Sequence, residues 1–267
     1  MAMYVVSLLS VLGGGAFALL LGRFLGSGRR AAAGEFTGQA QSLIGAVLLS
    51  SFILLTGFQV AGAWSALSTA RAGTYDEARA LGDAYFAAGL LAPADGTEVR
   101  RLLRAYTGAV RTAEFPALAH GRTSPAAWRD LDRVRTAVAA APADGTARQD
   151  AKAAAQTALN TVYQARVNRA AQATARMPEP TWLAMLGTGG FLVAFPALLG
   201  LSSTARQLTA LCFVGAAVAF AICFAGQLDR PFQEPFGVRP AAFALAGTRF
   251  DQMDAESGAA AAAAPPR

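Results

Sequence analysis

His120 is the only histidine of the chain, and Cys212 and Cys223 are its only thiols. A metal centre needs several such ligands converging on one point. His120 lies in the loop Ala119-His120-Gly121 with no other ligand suggested nearby, so a surface or capping role is expected. Both cysteines fall inside one uncharged run and read as small apolar side chains. Gly13-Gly14-Gly15 is not followed by the Lys-Ser or Lys-Thr of a phosphate loop. With no nucleophile–base pair and no paired carboxylates, neither catalysis nor a cofactor is expected. What remains is polar chemistry set in apolar runs. Ser50, Ser51, Thr56 and Gln59 interrupt one of them. Thr56 and Gln59 have two readings, a surface facing an aqueous path or hydrogen bonds between helices. Asp229, just past another run, can pair with an arginine, cap a turn or meet passing ions. Tyr75-Asp76-Glu77 reads as a helix start with acids at its positive end, with Glu77 in a weak exposed pair with Arg71 or Arg79.

The elements that must position these residues follow from the distribution of charge. Hydrophobic residues make up 54% of the 267 and charged residues 15%, against about 25% charged in an average soluble domain. The shortage is local: residues 1–22, 37–70, 181–205 and 207–228 carry no charge at all. A bilayer core needs roughly 20 apolar residues in helix, and each run is long enough. The expected fold is therefore all-α: a polytopic membrane protein with four transmembrane helices and a helical soluble domain between spans two and three. Residues 1–70 form a first hairpin (spans about 3–21 and 42–67), and 71–177 the helical domain. Residues 178–245 form a second hairpin (spans about 181–201 and 208–227) plus a Pro- and Phe-rich segment, and 246–267 an Ala- and Pro-rich disordered tail. No basic residue precedes the first run, so it is expected to be a retained span and not a cleaved signal.

Within 71–177 the apolar spacing is helical. Val99, Leu102, Leu103, Tyr106 and Val110 recur at i, i+3, i+4, i+7 and i+11. Pro93-Ala94-Asp95-Gly96 reads as a turn, and Ser124-Pro125 as an N-cap and first helical residue.

Four spans place both termini and the insert on one face. Arg71, Arg79, Arg166, Arg169, Arg176, Arg230 and Arg239 flank spans on that face, against Arg23, Arg29, Arg30 and Arg206 on the other. This bias puts the insert and both termini in the cytoplasm, with the protein in the plasma (inner) membrane. The net charge of +6 then suits anionic lipid. Nucleic acid is not expected as a partner, since no recognition module is present.

The order of motifs carries a resemblance. Span two reads Ser-Phe-Ile-Leu-Leu-Thr-Gly-Phe-Gln-Val, followed by Tyr75-Asp76-Glu77-Ala78-Arg79. Pro178-Glu179-Pro180 leads into span three, and Leu228-Asp229-Arg230-Pro231-Phe232 follows span four. Over residues 3–245 this resembles the bacterial bestrophin-like membrane proteins. The resemblance implies an ion channel, assembled as a homo-oligomeric ring with a pentamer favoured, whose pore is narrowed by side chains of span two. Carried to this sequence, those are Ser50, Leu54 and Phe58, one helix face at i, i+4 and i+8, with Gln59 beside them. Rings of apolar side chains gate by excluding water; Ser50 departs from the apolar pattern. Asp229, Pro231 and Phe232 would stand at the cytoplasmic mouth. The family's calcium-holding acidic run is not matched: Gln233-Glu234-Pro235 offers too few oxygens. The insert carries more basic than acidic residues, which suits anions as the permeating inorganic ions. The competing expectation is a non-conducting membrane scaffold or sensor whose helical domain binds a partner.

Overall fold

The computed structural model describes residues 5, 9, 10, 12–14, 16, 17, 20, 38–198 and 205–263. Most of the first expected span lies outside these residues, although those described between 5 and 20 are helical. No strand occurs among the described residues. The chain divides into two compact units. One comprises Met1–Ser65 and Arg176–Asp229, the other Ala66–Ala175 and Arg230–Arg267.

Helix α1 runs unbroken from Gly38 to Ala88. At 1.5 Å per residue it is about 75 Å long, more than twice a bilayer core. The sequence suggested a break between a span ending near residue 67 and a helix starting at Tyr75. There is none, because nothing there stops a helix. No proline intervenes, and the Thr74 hydroxyl donates to the Arg71 carbonyl at 2.7 Å, which satisfies it inside the helix.

The first unit is completed by α6 (Glu179–Leu198) and α7 (Ala205–Leu228). Its core gathers Phe52, Met185, Leu192, Val193, Leu211 and Val218. Gly189 permits the close approach: a Cβ there would sit 2.9 Å from Val218 and 3.0 Å from Phe52. The outward faces are also apolar, with Leu43, Ile53, Phe191, Phe213 and Phe220 exposed. Helices apolar on every side belong inside a large core or in lipid. Ser42–Ala88 and Ala205–Leu228 are long and apolar enough to cross a membrane by length and composition. These are the two of the four expected spans that the described helices support on that measure.

The second unit wraps the end of α1 with α2 (Pro93–Ala109), α3 (Phe115–Leu118), α4 (Pro125–Ala140), α5 (Thr146–Thr174) and α8 (Ala241–Ala263). Pro93 to Gly96, read as a turn, is instead the first turn of α2. Proline fits the first helical position because its missing N–H would have no partner there. Gly96 packs against the preceding helix, where a Cβ would come 2.5 Å from the Ala88 carbonyl oxygen. Between α2 and α3 the backbone loosens into a π-helical stretch, Val110–Glu114. Pro116 follows it and has no N–H to continue the α ladder. Residues 246–263, expected to be disordered, are helical as part of α8. Alanine is the best helix former, and Phe243, Ala246 and Phe250 are buried in the core. Residues 264–267 of that tail lie outside the described residues. Phe232 and Val238 join the same core, so the Pro- and Phe-rich segment belongs to this unit and not with the second hairpin.

Candidate functional site: an exposed helix stripe and a buried charge cluster

Ser50, Leu54 and Phe58 stand on one face of α1, and all three are exposed. Leu54 is 59% and Phe58 70% accessible, the latter among the most exposed large apolar side chains of the described residues. Leu43 and Val47 extend the same stripe. Phe52 is turned into the core of the first unit at 6%. Gln59 is not brought together with the stripe. It is 9% accessible, one residue and thus about 100° round the helix from Phe58. Thr56 Oγ1 is buried with no hydrogen-bond partner among the described residues.

The three residues after α7 each hold a structural contact. Asp229 Oδ1 accepts the backbone N–H of Met177 at 2.9 Å, tying the chain before α6 to the end of α7. In the second unit, the Pro231 carbonyl accepts the Val238 N–H at 2.7 Å and closes the Pro- and Phe-rich segment on itself. Phe232 packs edge-on against Phe115, ring centres 6.0 Å apart. The structure does not gather these three into one constellation.

It does gather one that sequence reasoning missed. Past the uncharged part of α1, Glu77 is fully buried, not in a surface pair with Arg71 or Arg79. Its carboxylate is ion-paired with Arg169 of α5 and accepts the Tyr106 hydroxyl at 2.5 Å. Arg166, one turn earlier on α5, donates to Glu114 at 2.7 Å and to Tyr106 at 3.1 Å. Glu114 also accepts the Ser124 N–H at 3.0 Å. Arg169 reaches Glu114 at 3.7 Å. Two acids and two bases thus form one neutral cluster, with Tyr106 bridging its halves.

The cluster's remaining donors face rings. The Arg166 guanidinium lies 4.4 Å from the Trp128 centroid and the Arg169 guanidinium 5.1 Å from Phe243. Ring faces attract cations and partly offset the missing acceptors at Arg166 Nε and Arg169 Nε. Burial pushes the Glu77 carboxyl up, while Arg169 and Tyr106 pull against it. Burial also pushes the Tyr106 hydroxyl up, with Glu77 adding to it; it stays protonated and donating. The arrangement can clamp α1 to α5 through opposite charges, but it offers no open position for a substrate.

A second, half-exposed network holds α8. Tyr85 stacks on Phe250 with ring centres 4.1 Å apart and donates to Asp254 at 2.6 Å. Arg100 and Arg104 reach the same carboxylate at 3.0 and 2.8 Å, and Arg104 also meets Asp251 at 2.7 Å. Burial pushes Asp254 up, but Tyr85, Arg104 and Arg100 outweigh it and hold the carboxyl below its ordinary 3.8. A depressed carboxylate stabilises the fold above its unfolded value and loses that contribution as pH falls through the folded one. Protection of residues 241–263 from hydrogen exchange, taken relative to the intrinsic rate at the same pH, is therefore expected to fall in acid below about pH 4. Asp254→Asn should show part of that loss of protection already at neutral pH; a variant with wild-type protection at both pH values contradicts this role.

Among the described residues no group of His, Cys, Asp and Glu is placed to hold a metal ion. A family model described as a Bestrophin-like domain matches residues 8–243. No curated protein and no solved structure matches the chain.

Proposed function

This chain belongs to the bestrophin-like family, and on that premise we propose that it is the subunit of an anion-permeable channel. It spans the inner membrane four times, with both termini and the helical domain in the cytoplasm. Copies assemble in a ring, a pentamer in the favoured arrangement, with α1 of each copy lining a central pore. Ser50, Leu54 and Phe58 then form successive rings. The two apolar rings resist wetting and set the barrier to ions, and Ser50 makes a hydrophilic step above them. The basic excess of the helical domain raises the local concentration of anions. Asp229, Pro231 and Phe232 hold the backbone at the inner mouth in this reading and do not meet the ions. No cofactor and no catalysis enter into it.

The observation that supports this reading best is the two-sidedness of α1. Phe52 packs into the core while Leu54 and Phe58, two and six residues on, are left uncovered. Lipid facing would also accommodate them, so the test must read conduction. Purified protein in liposomes under a chloride gradient should collapse that gradient faster than empty vesicles. No flux of any ion under any gradient would favour the membrane scaffold instead.

A further inference from the structure

Six large hydrophobic residues are exposed among the described residues of the second unit: Tyr75, Phe86, Leu90, Val167, Phe236 and Leu245. Four of them, Tyr75, Phe86, Leu90 and Leu245, line one groove of about 720 Å³ between α1 and α8, which Ala154 of α5 and the charged Arg79, Asp83 and Arg249 also line. Scattered exposed apolar residues mean little, but a gathered patch marks a contact surface. A surface facing only water would not concentrate its apolar side chains this way.

A second surface of the same unit is unusual in the opposite sense. From Ala153 to Thr174, α5 carries only two charged residues, Arg166 and Arg169, and both are buried. Its exposed ridge is Gln156, Asn160, Gln164, Val167 and Ala171, more than four turns with no charge. Other outward faces of this unit are rich in charge: Arg101, Arg111, Arg129 and Arg133 are all exposed on α2, the π-helical stretch and α4. Depletion of charge is the compositional mark of an interface core. Val167, 49% accessible, is the one large apolar side chain on this ridge.

We propose that the α1–α8 groove seats the α5 ridge of a neighbouring copy of this chain, with Val167 entering between Phe86 and Leu245. The proposal rests on the ring reading above and names the surfaces that build it. A groove on one copy and a ridge on a different face of the next make a head-to-tail contact, the type that closes rings. It also explains why the two surfaces differ: a two-fold contact would use one patch twice.

The test is disulfide trapping in membranes, with Cys212 and Cys223 first replaced by alanine. In that background Val167→Cys and Leu245→Cys are combined in the full-length chain. Oxidation should shift the monomer band to a ladder of covalent oligomers, while each single-cysteine variant stays monomeric. Native mass measurement of the same preparations separates the two levels of the argument. A full-mass oligomer that gives no ladder overturns the groove–ridge contact but leaves the ring intact, and assigns the groove to lipid or another protein. A covalent dimer from Leu245→Cys alone overturns it in favour of a two-fold contact. A monomer by mass overturns the ring reading as well.

Discussion

Arg166→Met is expected to destabilise the helical domain by about 3–5 kcal/mol, the usual cost of removing one partner of a buried ion pair. Arg166 is completely inaccessible and is the closest positive charge to Glu114, at 2.7 Å. Without it, Glu114 keeps the Ser124 N–H and an Arg169 that is 3.7 Å away and already committed to Glu77. The carboxylate is then left in a dry site without its closest cation, which is unfavourable. Because the penalty is an unpaired charge and not lost attraction, removing both partners should recover most of it. Arg166→Met with Glu114→Leu leaves the Glu77–Arg169 pair balanced and is expected to melt near the wild type. Denaturation of the detergent-solubilised protein reads both. A single variant as stable as wild type, or a double variant worse than the single, contradicts the electrostatic account of the cluster.

The second large effect concerns conduction. Under the proposed function, Phe58→Ala widens and wets one of the two apolar rings. A barrier lowered by about 1.4 kcal/mol raises flux about tenfold, and replacing a ring of phenylalanines is expected to reach at least that. Leu54→Ala should act in the same direction with a smaller effect, since less apolar surface is removed. Phe191→Ala is the control: it is also exposed, at 52%, but it stands on α6 and is not part of the α1 stripe. Liposome flux that rises equally for Phe58→Ala and Phe191→Ala would mean loss of packing and not a wider pore.

Much of the fold was legible because it rests on periodicity. Val99, Leu102, Leu103, Tyr106 and Val110 are all buried, as their spacing requires. The charge-free runs likewise pointed to the apolar helices of the first unit. The limits of the elements were less legible, for physical reasons. Pro93-Ala94-Asp95-Gly96 has the composition of a turn and also of a helix start. An Ala-rich tail is compatible with disorder until Phe243 and Phe250 find a core.

The charge cluster is hidden from a reading in which charged residues belong at the surface. A signal was present: Ala70, Thr74, Glu77 and Leu81 are all buried at steps of four, three and four, so Glu77 occupies an inward position of α1. Arg166 and Arg169 continue the inward line of Leu159 and Val162 on α5 in the same way. Opposite charges in register on two helices of one unit are a reason to expect a buried pair. The pore role proposed for Ser50, Leu54 and Phe58 rests on family resemblance, because helical spacing in an all-apolar span cannot distinguish a pore from lipid.

The most direct measurement is an image of the protein in lipid at side-chain resolution. The account predicts a closed ring of copies with α1 innermost and Phe58 pointing at the axis. A single copy, or a ring whose axis is lined by a helix other than α1, would contradict it.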